Sequence, residues 1–299
     1  MAGSRRRRSG GREAKRAARS RAGGNAPPYI TRKVPTYCHA SDEQLELIEH
    51  NADTVLEEIG IEFRDFPRAL ELFRDAGADI DGERVRFPRG LCRQIIRQNA
   101  PAEFIQHARN PARSVKIGGD STVLVPAYGS PFVRDLDQGR RYANIEDFRN
   151  FVKLAYLCDS LHHSGGTVCE PVDLPVNKRH FDMVYAHMRY SDKPYMGSVT
   201  AAERASDTVE MSKILFGDNY LDENGVEKTV VINLINANSP MTFDDTMLGA
   251  AEVYAAANQA TVVSPFILAG AMSPVTVVGT VTQILAEAPA VRMPYRPVP

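Results

Sequence analysis

From Asn144 onward, strand-like and helix-like segments alternate strictly, and this constrains the fold more than any other feature of the chain. A helix over Ile145–Cys158 opens the run. Strands are predicted near Leu161–Val168, Tyr195–Thr200, Thr229–Ile235 and Ala260–Leu268. Helices are predicted near Asn177–Tyr190, Ala201–Phe216, Phe243–Asn258 and Val275–Ala288. The strand starts are 34, 34 and 31 residues apart. Such spacing reads as βαβ units around a parallel sheet. A doubly wound sheet places a glycine-rich phosphate loop after its first strand, and Gly165-Gly166 lacks the third glycine that would open a helix. Even spacing and polar strand ends favour a (β/α)8 barrel, of which four units are present. The fold class expected is α/β: a partial TIM barrel with an α+β N-terminal extension and a disordered basic tail.

The extension spans residues 29–143. Ser41 and Gln44 form a capping-box pattern before a helix over 41–59, which Gly60 ends. A second helix runs from Pro67 to Ala76 before Gly77. Asp81-Gly82 marks a hairpin between Asp79-Ile80 and Val85–Phe87, and Pro88 opens a third helix to Asn99. Residues 101–143 carry short β-branched runs split by glycines, which reads as a small antiparallel sheet. Residues 144–288 are the four βα units. Residues 289–299, with four prolines and no periodicity, read as an aberrant terminus, consistent with a frameshift or a fragment.

Charge is segregated. Residues 1–25 carry a balance of +8 and the rest of the chain −9, which together give −1. The tail (1–28) has no apolar residues to build a core, so disorder is expected. No apolar segment follows its arginines, which argues against an export signal. No aromatic side chains interleave them to stack bases, so nucleic acid is an unfavoured partner. No apolar run approaches the roughly 20 residues that span a bilayer. Four cysteines in 299 residues suit reduced thiols and a cytoplasmic location better than a disulfide framework. Cys158, His162, His163 and Cys169 lie close in sequence, but adjacent histidines on a strand point to opposite faces, and no metal site is assigned.

Six stretches occur in order along the chain: the Arg/Ala/Gly tail, LEEIGIEFRDFPRALELFRDAGADIDGERVRFPRGL (Leu56–Leu91), GGTVCEPVDLP (Gly165–Pro175), KPYMGS (Lys193–Ser198), NANSPMTFDDTMLGAAEVYAAANQ (Asn236–Gln259) and LAGAMSPVTVVGTVTQILAEA (Leu268–Ala288). Together they resemble the trimethylamine methyltransferase family of corrinoid-dependent enzymes over residues 1–288. The resemblance implies a TIM barrel behind an N-terminal extension. It implies transfer of a methyl group from a methylated amine, trimethylamine or a quaternary amine such as a betaine, to the Co(I) of a corrinoid carried by a separate small protein. No cofactor is then bound directly, and a homo-oligomer is expected of the full-length form. The alternative is an inactive fragment or a module that binds quaternary ammonium compounds without turnover.

A barrel site lies at the carboxyl ends of the strands. That selects Glu170 and Asp173 after the first strand, Ser198 and Thr200 after the second, Asn236, Asn238 and Ser239 after the third, and Gly270, Met272 and Ser273 after the fourth. Substrate binding is assigned to Glu170, Ser198, Asn236, Asn238, Gly270 and Met272, and no catalytic residue is assigned. Glu170 could balance a substrate cation or instead pair with Lys178 or Arg179. Asn236 and Asn238 could hold a polar substrate group or brace the turn before Pro240. Met272 and Tyr195 could wall an apolar cage or pack in the core.

Overall fold

The computed structural model describes residues 27–290. Helix α1 (Asp42–Thr54) begins at the expected cap. The Ser41 hydroxyl accepts the Gln44 N–H at 3.3 Å, and the Gln44 side chain accepts the Ser41 N–H at 3.0 Å. Two otherwise orphaned donors are thereby satisfied. Replacing Ser41 with Ala is expected to cost about 1 kcal/mol, read as a lowered denaturation midpoint at unchanged slope. The helix continues as a widened π turn over Val55–Ile59, and Gly60 stops it at φ 73°. A Cβ on Gly60 would lie 2.3 Å from the Val85 carbonyl oxygen, so only glycine lets the strand that carries Val85 approach this closely.

Strand β1 (Ile30–Thr31) precedes α1, and strand β2 (Ile61–Phe63) follows it. Then come α2 (Pro67–Asp75), the antiparallel pair β3 (Asp79–Asp81) and β4 (Arg84–Arg86), and α3 (Leu91–Asn99). Helix α3 starts later than Pro88 because Gly90 is left-handed at its N-cap, φ 77°. Residues 101–143 do not form one sheet. They form separate two-stranded ladders: β5 (Glu103–Gln106) with β6 (Val115–Gly118), β7 (Ser121–Thr122) with β1, and β8 (Phe132–Asp135) with β9 (Gly139–Tyr142). Gly118 and Gly119 both take positive φ, which turns the chain out of one ladder and into the next.

The alternating run keeps its expected order except for its first strand and for one unexpected strand, β12, where a helix was expected to start at Phe243: α4 (Ile145–Leu157), α5 (Arg179–Tyr190), β10 (Tyr195–Met196), α6 (Ala202–Phe216), β11 (Val231–Ala237), β12 (Thr242–Phe243), α7 (Asp245–Ala256), β13 (Ala260–Pro265) and α8 (Val277–Ala290). Strands β10, β11 and β13 form a parallel sheet in that order, with β11 and β13 in register from Ile232–Ala260 to Ala237–Pro265. Among the described residues the sheet does not close into a barrel. The strand expected at Leu161–Val168 is absent. That segment lies beside β10, with Ser164 N–H on the Pro194 carbonyl and Met196 N–H on the Gly165 carbonyl, both at 2.8 Å. A regular parallel ladder would use the two groups of one residue on that segment. Here an extra residue intervenes at Gly165, φ 90°, and the strand breaks. Helix α8 runs past the expected stop. Pro289 sits in its final turn, where the missing N–H removes a single bond.

Sequence patterning does not show how the two parts join. Strand β12 pairs in parallel with β2, forming a sheet in the order β12-β2-β4-β3. Phe63, Phe73, Phe87 and Phe243 bury their rings together, with Phe63 to Phe73 at 4.9 Å and Phe63 to Phe243 at 5.9 Å between centroids. One core therefore takes residues from every helix of α1 to α8 except α4, whose Phe148 and Val152 pack in a second cluster with Val133, Cys169 and Ala186. Val231, Ile235 and Ala237 of β11 point into the first. Leu234 and Asn236 take the opposite face, where register aligns them with Val262 and Ser264 of β13. That face is only partly covered, and Phe266, just beyond β13, is 71 % exposed.

Candidate active site

Parallel strands share one carboxyl edge, so the sequence-selected residues that follow them are brought to the same side of the sheet. Their local roles differ. Glu170 forms an ion pair with Arg179 at the start of α5, and Arg179 also donates to the Leu174 carbonyl at 3.1 Å. Ser198 is half-buried. Its N–H reaches the Thr208 hydroxyl at 3.4 Å, and its carbonyl accepts the Tyr254 hydroxyl at 2.7 Å. Gly197 makes that contact possible, because a Cβ there would lie 2.1 Å from the Tyr254 oxygen. Thr200 accepts from Arg204 at 2.7 Å.

Asn236 lies on the open face of β11 beside Ser264. The Asn238 amide instead donates to Asp244 at 2.6 Å, and Asp244 caps α7 through the Met247 N–H. Asn238 is therefore engaged in bracing the turn before Pro240. Asp173 accepts the Ile145 N–H at 2.9 Å, at the start of α4. Gly270, φ 81°, and Met272 belong to a tight turn after β13, with Gly270 N–H on the Ser273 carbonyl at 3.0 Å and Met272 N–H on the Leu268 carbonyl at 3.0 Å. Tyr195 does not wall any open space. It is buried on the helix side of β10, its hydroxyl meets Ser212 at 2.8 Å, and burial raises its pKa.

Behind the edge lies a buried polar layer that sequence reasoning missed. The His163 ring bonds Gln106 at 3.1 Å and accepts the Gly165 N–H at 2.9 Å. The Gln106 amide in turn donates to the carbonyls of Tyr195 and Val230, tying the leading region to β10 and β11. His187 meets the Ser164 hydroxyl at 2.7 Å and the Gly166 carbonyl at 2.8 Å. Burial holds both imidazoles neutral, pushing His163 down to about 3 and His187 to about 4. The carbonyl contact requires His187 to donate from Nε2 and accept at Nδ1. These two rings fix the backbone of 163–166, the segment that replaces the expected strand.

Glu287 of α8 is fully buried and accepts from the Ser239 hydroxyl, the Met241 N–H at 3.0 Å and the Gln283 amide at 2.8 Å. It pins the turn that follows Asn236 and Asn238. Tyr128, from the leading region, rests on Gly166 at the same edge and is 41 % exposed. Sequence offered no signal for either residue, because each acts across a long chain separation.

No group of three His, Cys, Asp or Glu among the described residues is placed to hold a metal ion. Both His163 nitrogens are engaged, and burial pushes the Cys169 thiol up to about 12. No described helix is long and apolar enough to cross a membrane.

The family model for trimethylamine methyltransferase matches residues 8–292, so this chain belongs to that family. It is 42 % identical over 254 residues to a glycine betaine methyltransferase of Desulfitobacterium hafniense, covering 85 % of this chain and 52 % of that protein. It is 30 % identical over 164 residues to a proline betaine:corrinoid methyltransferase of Eubacterium limosum, covering 54 % of this chain and 33 % of that one. An L-carnitine:corrinoid methyltransferase of the same organism is 24 % identical over 200 residues, 61 % of this chain and 40 % of its own length. The chain spans about half the length of the curated relatives it matches, or less.

Proposed function

We propose that this chain acts in methyl transfer from a methylated amine, with a quaternary amine preferred over trimethylamine, to the Co(I) of a corrinoid protein. The observation that carries this reading is the 42 % identity to a glycine betaine methyltransferase along most of the chain. The two further relatives are named for proline betaine and carnitine, which are also quaternary ammonium compounds. We read segment 161–168, β10, β11 and β13 as an arc of a (β/α)8 barrel. Sequential parallel neighbours with helices packed on one face support that reading.

In this account the corrinoid belongs to a second protein and supplies a nucleophilic acceptor for the methyl group. The N–CH₃ bond breaks, and its electron pair stays on the departing amine. A quaternary nitrogen leaves as a neutral tertiary amine, so no side chain has to deliver a proton. The work left to this chain is to hold and orient the donor. Ser198 and Asn236 offer hydrogen bonds on or beside the open face, while Gly270 and Met272 shape its far end. Glu170 is neutralised by Arg179, so it sets the polarity of the edge more than its net charge.

The test mixes the full chain and a Co(I) corrinoid protein with glycine betaine or trimethylamine, and follows the Co(I) absorbance. Loss of the Co(I) band with glycine betaine, and a smaller effect with trimethylamine, is expected. Binding of betaine with no transfer would favour the binding-module alternative and overturn the transferase reading.

A further inference from the structure

A quaternary ammonium group cannot donate a hydrogen bond, so a site selects it through aromatic faces and diffuse negative potential. Tyr195 and Tyr254 are buried with their hydroxyls engaged. Tyr128 differs. Two of its ring carbons lie 2.7 and 3.4 Å from where a Cβ on Gly166 would stand, and Met196 Cβ lies 2.8 Å from the same point. The ring is thus seated on bare backbone at the carboxyl edge, beside Met196. Backbone bonds anchor the chain directly after it: Gly129 N–H to the Thr167 carbonyl at 2.7 Å, and Glu170 N–H to the Ser130 carbonyl at 2.8 Å. Burial raises the pKa of its hydroxyl, and the nearby Glu170 charge acts in the same direction. A large aromatic side chain, fixed in place yet 41 % exposed, is a preorganised surface.

We propose that the Tyr128 ring, held on Gly166 and flanked by Met196, is the aromatic wall that receives the quaternary ammonium group of the substrate. This inference rests on the quaternary-amine reading above and assigns its recognition to a residue of the leading region. Because Arg179 already neutralises Glu170, the ring carries the preference for a cation, and the carboxylate does not.

The experiment titrates the full chain with choline and with its neutral isostere, in which carbon replaces the quaternary nitrogen. The wild type is expected to prefer choline by about tenfold. Tyr128→Leu should remove that preference, and Tyr128→Phe should keep most of it. Fluorinated phenylalanines at 128 keep the shape but drain the ring face, and should weaken choline stepwise even if the leucine variant folds poorly. Equal affinity for choline and isostere in the wild type, or indifference to fluorination, would overturn the proposal. The two readings separate cleanly. Methyl transfer with no dependence on the 128 ring sinks this inference alone, whereas a fluorination-sensitive choline site without transfer sinks only the transferase reading.

Discussion

Replacing Lys193 with Met is expected to destabilise the protein by about 3 kcal/mol, a drop of roughly 6–12 °C in melting midpoint. Lys193 is almost completely buried, and its ammonium donates to the carbonyls of Ala155, Cys158 and Leu161 at 2.8, 2.9 and 2.7 Å. The first two carbonyls end α4, which has no basic residue in its own last turn. A cation from the loop before β10 thus satisfies the negative end of a helix dipole some forty residues earlier. Burial lowers the Lys193 pKa, and the three acceptors offset the cost of desolvating the charge. Methionine would fill the stem's space but withdraw a charged donor from three carbonyls, of which Cys158 keeps the Leu161 N–H at 3.1 Å. Lys193→Arg is also expected to destabilise, because a planar fork cannot aim at three carbonyls converging on one point. Thermal unfolding of the two variants checks both statements. A midpoint within 2–3 °C of wild type for Lys193→Met would show that the three bonds contribute little net stability.

The second large effect is acid sensitivity. In the folded protein His163 and His187 titrate near 3 and 4, below the ordinary value of 6.5, because burial disfavours the charged ring. The unfolded chain therefore binds more protons in the interval below pH 6.5. Stability is retained above that value and falls as pH drops towards 4. Between pH 7 and 5 each imidazole is expected to remove about 2 kcal/mol, or about 4 kcal/mol together. His162 and His107 are also lowered by burial and act in the same direction. Asp147 is held low chiefly by its hydrogen bonds to Arg141, so its contribution is lost only near and below pH 4. Denaturant titrations at pH 7, 6 and 5 should show the loss, and His163→Gln should reduce it by about half. An unchanged pH dependence in that variant would remove His163 from the account.

What the sequence revealed, and what it hid, follows from the range of each interaction. The cap at Ser41, the hairpin at Asp81-Gly82 and the parallel order of the three regular strands depend on neighbours or on periodicity. Those were legible. The break at 161–168 was not, since Leu161–Val168 has strand composition and Gly165 disrupts it only when paired against β10. The β2–β12 pairing joins residues about 180 positions apart, beyond any local pattern. Site reading failed in the same way. At Glu170 and Asn238 the sequence left a substrate contact and a local partner both open, and Arg179 and Asp244 supply the local partners. Tyr195 stayed open between a cage wall and the core because strand alternation alone does not tell which face a two-residue strand presents, and it packs in the core. Tyr128 reaches the edge from a loop with no motif to mark it.

The central claim is that the carboxyl edge of the parallel strands is where a quaternary amine binds. Backbone amide NMR of the full chain, recorded while glycine betaine is added, tests it directly. Saturable shifts should cluster at Tyr128, Gly166, Ser198, Asn236 and Gly270, with the amino-terminal ends of β10, β11 and β13 unmoved. Shifts confined to that opposite end, or to α1–α3, would contradict the account.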